Sequence, residues 1–137
     1  MTKKFIDTNI LARLVVGDGE KQVEMVKNLF KKASQNNQHL YIIPEVLMEL
    51  SYVLSSSYKL DKETVAEVLE KIATMNVIKL AETKNLNLKN VTSFFQQENI
   101  SLEDCLYLQL CLQNEMELVT FDKKLNNIFQ KEKEALA

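Results

Sequence analysis

One histidine, two glycines, one proline, two cysteines and no tryptophan occur among the 137 residues, and each scarcity closes off a class of protein. A single imidazole, His39, excludes a multi-histidine metal cage. Two glycines cannot supply a G-x-G-x-x-G fingerprint, and no Gly-Lys-Ser/Thr exists to cradle a phosphate. Glycine and proline are too few for collagen-like chains, linkers or most all-β designs, whose turns lean on those residues. The cysteines, Cys105 and Cys111, stand six apart. On a helix that spacing is a turn of about 600°, so the thiols point to different sides. No disulfide is expected between them, and without a C-x-x-C neither a zinc nor a redox motif is present. Both read as small buried hydrophobes. Of the 17 basic residues only Arg13 is arginine, which argues against bidentate arginine reading of phosphates or bases. Long apolar runs are missing too. None approaches the roughly 20 residues of a membrane span, and Asp7 interrupts the N-terminal segment before a signal-peptide core can form. The expectation is a cytoplasmic protein with no membrane attachment.

What is present is ordinary for a globular chain: 46% hydrophobic and 26% charged residues, enough to build a core. The length suits a single domain over residues 1–137. The formal charge is −2, from 17 basic and 19 acidic residues. Bulk charge of that sign does not hold nucleic acid, although a metal ion can invert the local sign of an acidic site.

Residues 3–7 read as a strand, and residues 9–16 as a helix closed by Gly17-Asp18-Gly19. Val23, Val26, Leu29, Phe30 and Ala33 recur at helical spacing. Residues 39–43 read as a second strand, and Pro44 starts a helix that runs to about residue 55. Asp61 caps the next helix, with Val65, Val68, Leu69 and Ile72 on one face. Residues 76–80 are a strand, and residues 86–97 a helix with Val91, Phe94 and Phe95 inward. Ser101 caps a helix that is apolar nearly all round and therefore buried. Residues 117–121 form the last strand, followed by a short polar helix. Strands alternating with helices predict an α/β fold with a parallel sheet covered on both faces. The ligand site of such a sheet lies outside the carboxyl ends of its strands.

Five acids fall at that end. Asp7 follows the first strand and Asp122 the last; Glu45 and Glu49 lie in the first two turns after the second strand, and Asp104 opens the buried helix. Unpaired carboxylates repel one another and resist desolvation. A hard divalent cation relieves both problems, and oxygen ligands without histidine or cysteine suit Mg²⁺ or Mn²⁺ over zinc. Such a site supports displacement at phosphorus with metal-activated water. Each acid also has a purely structural reading. Asp7 and Asp122 can cap helices, Glu45 suits a helix dipole, and Glu49 can be a solvated helix acid. Asp104 can close a capping box with Ser101.

Four motifs carry a resemblance that separates these readings. Phe5-Ile6-Asp7-Thr8-Asn9-Ile10-Leu11, Pro44-Glu45-Val46-Leu47-Met48-Glu49-Leu50, Leu102-Glu103-Asp104-Cys105-Leu106 and Leu118-Val119-Thr120-Phe121-Asp122-Lys123-Lys124-Leu125 occur in that order. Together they resemble the PIN-domain ribonucleases, the family that includes VapC-type toxins. Cys105 stands where that family usually has a small residue such as alanine. The resemblance implies a three-layer α/β/α sandwich with a central parallel sheet. It also implies a catalytic and metal-binding site of Asp7, Glu49, Asp104 and Asp122 that holds Mg²⁺ or Mn²⁺ and cleaves RNA. Asn9 and Thr120 would fix the carboxylates by hydrogen bonds. A cognate antitoxin and a homodimer are further implications.

Rival functions fare less well on the residues. An aspartate phosphatase of the haloacid-dehalogenase type needs an acid two residues after Asp7, where Asn9 stands. A receiver domain needs adjacent acids before its phosphoacceptor strand, and here that strand comes first. A non-catalytic PIN-like binding module would be expected to have lost an acid, and all four are kept. A non-toxin RNA-processing nuclease stays open beside the toxin.

Overall fold

A computed structural model describes residues 2–17 and 19–137; Asp18, in the expected Gly17-Asp18-Gly19 turn, lies outside the described residues. The chain runs β1 (Lys4–Ile6), α1 (Thr8–Val16), α2 (Glu20–Gln35), β2 (Leu40–Ile42), α3 (Pro44–Ser56), α4 (Lys62–Ala73), β3 (Ile78–Leu80), α5 (Leu88–Gln97), α6 (Leu102–Gln113), β4 (Glu117–Val119) and α7 (Lys123–Leu136). The four strands form one sheet in the order β3-β2-β1-β4, and every pair is parallel. Helix α1 packs against α2 and α3, and α3 against α4, whereas α5, α6 and α7 form a second group. The result is the expected three-layer α/β/α sandwich.

The strand order explains the burial. β1 is flanked by β2 and β4, and its Phe5 and Ile6 are fully buried. Strand order reverses at β1, since β2 lies on one side and β4 on the other. That reversal opens a crevice at the carboxyl ends of β1 and β4. Helix α6 packs under it. Its Cys105, Tyr107, Leu108, Leu110 and Cys111 are all fully buried, as all-round apolarity requires. Both cysteines are free thiols, and burial pushes both above the usual thiol range. They act as core hydrophobes.

Three expectations are corrected. The strands are shorter than the sequence pattern predicts, because only three residues of each meet a neighbour in register. Phe95 points outward and is about half exposed; Val91 alone of α5 is fully inside, with Phe94 against the core. The C-terminal helix is neither short nor wholly polar. It spans 14 residues and buries Leu125, Ile128 and Phe129 on one stripe. Its many lysines and glutamates mask that stripe in a composition reading.

Gly17 makes the left-handed exit of α1; with glycine so scarce, further exits fall to other residues. Asn37, Lys59 and Glu115 have φ of 53°, 55° and 53° beyond the ends of α2, α3 and α6. Arg13, the one arginine, is used structurally. Its guanidinium donates to Gln22 Oε1 at 2.7 Å and to the Tyr58 hydroxyl at 3.0 Å, tying α1 to α2 and to the end of α3.

Candidate active site

Among the described residues the buried polar side chains are Asp7, Thr8 and Gln109. Gln109 is satisfied within α6, where its amide donates to Gln113 Oε1 at 3.2 Å. The other two are consecutive and sit at the crevice.

Asp7 ends β1 and caps α1. One carboxylate oxygen accepts from the Ile10 N–H at 3.3 Å, and the other accepts from the Thr120 hydroxyl at 2.5 Å. Thr120 Oγ1 in turn accepts from the Asp122 N–H at 3.0 Å. One hydroxyl therefore links the ends of β1 and β4. Asp122 caps α7 through the Leu125 N–H at 3.1 Å. Ser101 caps α6 by accepting from the Asp104 N–H at 3.1 Å. Three helix N-termini thus carry acids at this edge, and their positive dipole ends favour negative charge there.

Glu49 comes from the second turn of α3. Its Oε1 accepts from the Thr8 hydroxyl and from the Tyr107 hydroxyl, the latter at 3.3 Å. Burial pushes Tyr107 far above the usual phenol range, so it stays a proton donor. Thr8 and Tyr107 were missed in the sequence. The signal for Thr8 was its place beside Asp7 in the first motif. The signal for Tyr107 was its spacing three residues after Asp104, on the same helical face.

The electrostatics follow from this crowding. Burial, more than anything, pushes Asp7 up to about 6, opposed by the bonds from Thr120 and Ile10 and assisted by repulsion from Glu49. Asp104 is also pushed up to about 6, by burial first, then by Glu49, with Asp7 and Asp122 adding to it. Each of the other three acids is therefore felt at Asp104. Asn9 is exposed, and it is its backbone N–H that faces Asp7. Glu45 is exposed and lines, with Glu49, Met48, Tyr52 and Glu103, a cleft of about 360 Å³ beside the site. Lys124 does not face the acids; it donates to the Asn99 carbonyl at 2.9 Å and ties α7 to the loop before α6.

The raised carboxyls predict a stability profile. Between the unfolded value of 3.8 and about 6 the folded state holds more protons than the unfolded state. In the metal-free protein these two groups therefore stabilise at low pH, and that contribution is lost as pH rises through the window. Thermal melts in EDTA should show wild type losing stability relative to Asp7→Asn as pH climbs from about 4 to 6. A difference between the two proteins that stays constant with pH would contradict the buried, crowded carboxylate.

Among the described residues no group of three or more aspartate, glutamate, histidine or cysteine side chains is placed to hold a metal ion as the structure stands. The chemistry of the donors nevertheless fits a hard divalent cation. They are carboxylate oxygens, they repel one another, and hydroxyl and backbone N–H groups are their hydrogen-bond partners. The two thiols are buried and protonated, and His39 lies before β2, at the other end of the strands.

Two comparisons bear on this arrangement. A VapC ribonuclease of Aquifex aeolicus (strain VF5) is 38% identical over 69 residues, a stretch that makes up 50% of this chain and 50% of that protein. The match thus spans about half the length of that curated relative. A family model described as PIN domain matches residues 4–129, a range that takes in all four strands and every acid of the crevice. The chain belongs to the PIN-domain family.

Proposed function

We propose that this protein is a metal-dependent endoribonuclease, and that it acts as the toxin of a pair whose cognate antitoxin neutralises it. The observation that carries the nuclease reading is the crowding of Asp7, Glu49 and Asp122 around Asp104, from the ends of β1 and β4, the second turn of α3 and the first turn of α6. A purely structural set of acids would be paired with bases or spread apart. The Aquifex relative is a ribonuclease, which supports RNA as substrate; the pairing with an antitoxin rests on the motif resemblance.

In this reading Asp7, Glu49 and Asp104 hold Mg²⁺ or Mn²⁺, directly or through water, and Asp122 completes the set. A bound ion of this kind supplies polarisation of the phosphate and a water nucleophile at neutral pH. The chain's own residues do the positioning. Thr120 fixes Asp7 against Asp122, while Thr8 and Tyr107 fix Glu49 from two sides. Outer hydrogen bonds of this type keep ligating oxygens aimed. Tyr107, whose hydroxyl reaches Glu49, is itself fully buried.

Protein freed of any partner is expected to cut single-stranded RNA with Mg²⁺ or Mn²⁺ and to stop when EDTA is added. Attack by water expels the 3′ oxygen, so the products should end in 3′-hydroxyl and 5′-phosphate. Ends bearing 2′,3′-cyclic phosphate would instead mean attack by the RNA's own 2′-hydroxyl. That route generally uses a general base and acid, often histidines, and His39 is remote from the acids.

A further inference from the structure

A second cavity lies at the opposite end of the sheet. It has a volume of about 330 Å³, within the range of about 300–1,000 Å³ of small-ligand sites. Lys3 and Lys4 enter it from the start of β1, Lys32 from the last turn of α2, and His39 and Tyr41 from the start of β2. None of its lining residues is acidic, in a chain where acids outnumber bases. Among the described residues, no carboxylate comes within ion-pairing distance of these three lysines or of His39. The dipole of α2 accounts for a lysine in its last turn. It does not account for Lys3 and Lys4, which approach from another element.

The walls are of two kinds. The lysines, with Asn36 and Asn37, give a rim rich in hydrogen-bond donors. The Lys3 ammonium lies over the Tyr41 ring, 5.3 Å from its centroid, and the His39 ring stands edge-on at 6.4 Å, so a planar group stacks on that face only as Lys3 swings from the ring to the phosphate. Cations gathered in a concave, acid-free pocket focus a positive potential. A phosphate group matches the donors, and a planar base matches the ring.

We propose that this cavity is a nucleotide-phosphate site, separate from the acidic crevice. Its ligand is a phosphate ester attached to a nucleoside, either a free nucleotide or one nucleotide of an RNA strand. The assignment does not rest on the catalytic reading, because the two sites lie at opposite ends of the strands and share no residue.

The test is NMR titration of the whole protein in EDTA, so that RNA stays uncut. Adenosine monophosphate, a short single-stranded RNA and inorganic phosphate are added in turn to wild type and to the double variant Lys3→Gln/Lys32→Gln. Both lysines are exposed, so the exchange leaves the fold intact. Shifts confined to residues 36–41 and the start of β1 are expected. Affinity should fall about tenfold or more in the variant, as loss of hydrogen bonds to a charged group implies. Saturation by the monophosphate assigns a free nucleotide, and saturation by RNA alone assigns a strand. No shift up to millimolar ligand, or equal affinity in the variant, overturns the site. Inorganic phosphate binding as tightly as the nucleotide overturns the role of the ring. Cleavage is not read, so failure of the nuclease reading leaves this result standing.

Discussion

Asp104→Asn is expected to fold as wild type does and to lose RNA cleavage by roughly a hundredfold or more, beyond what disturbing an outer ligand contact causes. Asp104 is the sharpest residue to change because its place in the first turn of α6 explains it completely without a metal. Its backbone N–H is capped by Ser101 Oγ at 3.1 Å, and the Ser101 side chain also hydrogen-bonds the Asp104 carboxylate. Asparagine keeps the backbone bond and the side-chain shape but carries no charge and is a poor ligand for a hard cation. Folding is checked by thermal melting in EDTA, where removing a carboxylate that is crowded by Glu49, Asp7 and Asp122 should not destabilise. Cleavage at the wild-type rate by a normally folded variant would reduce Asp104 to a helix-terminus residue and break the four-acid site.

Glu49→Gln is expected to abolish cleavage as well, while Glu45→Gln keeps most of it. The two glutamates are one helical turn apart on α3, so helix position alone does not separate them. Their surroundings do. Glu49 Oε1 receives the Thr8 and Tyr107 hydroxyls, whereas Glu45 is exposed at the outer rim of the cleft. A glutamine carbonyl can still accept from both hydroxyls, so the variant retains the geometry and loses only the charge. A second readout follows. Glu49 raises both Asp7 and Asp104, so in Glu49→Gln both should titrate lower than in wild type by NMR. Loss of cleavage in Glu45→Gln with retention in Glu49→Gln would move the second motif by one turn.

The fold was largely legible because its elements follow simple periodic rules. Apolar runs ending in acids marked β1 and β4, Pro44 marked the start of α3, and all-round apolarity marked α6 as buried. What was not legible depends on three dimensions. Phe95 reads like Phe94 by spacing, yet α5 rolls so that only Val91 is fully covered. The α7 stripe of Leu125, Ile128 and Phe129 is diluted by charge in sequence. At the site, the acids could be placed at the correct edge because each follows a strand or opens a helix. Thr8 and Tyr107 could not be assigned to Glu49, since their contacts join residues 41 and 58 positions apart. The lysine-lined cavity was equally hidden, being assembled from the starts of two strands and the end of one helix.

The seating of β1 between β2 and β4 also sets an order of assembly. β1 meets β2 at Lys4↔Leu40 but meets β4 at Lys4↔Glu117, a loop about three times longer, which costs roughly 1 kcal/mol more to close. Contacts this distant in sequence form late and slow folding. A half-folded chain in which β1, β2 and β3 have joined holds Asp7 and Glu49 but lacks Thr120 and Asp122, which arrive with β4. If the chain is the ribonuclease proposed above, recovery of cleavage on refolding is expected no earlier than the docking of β4.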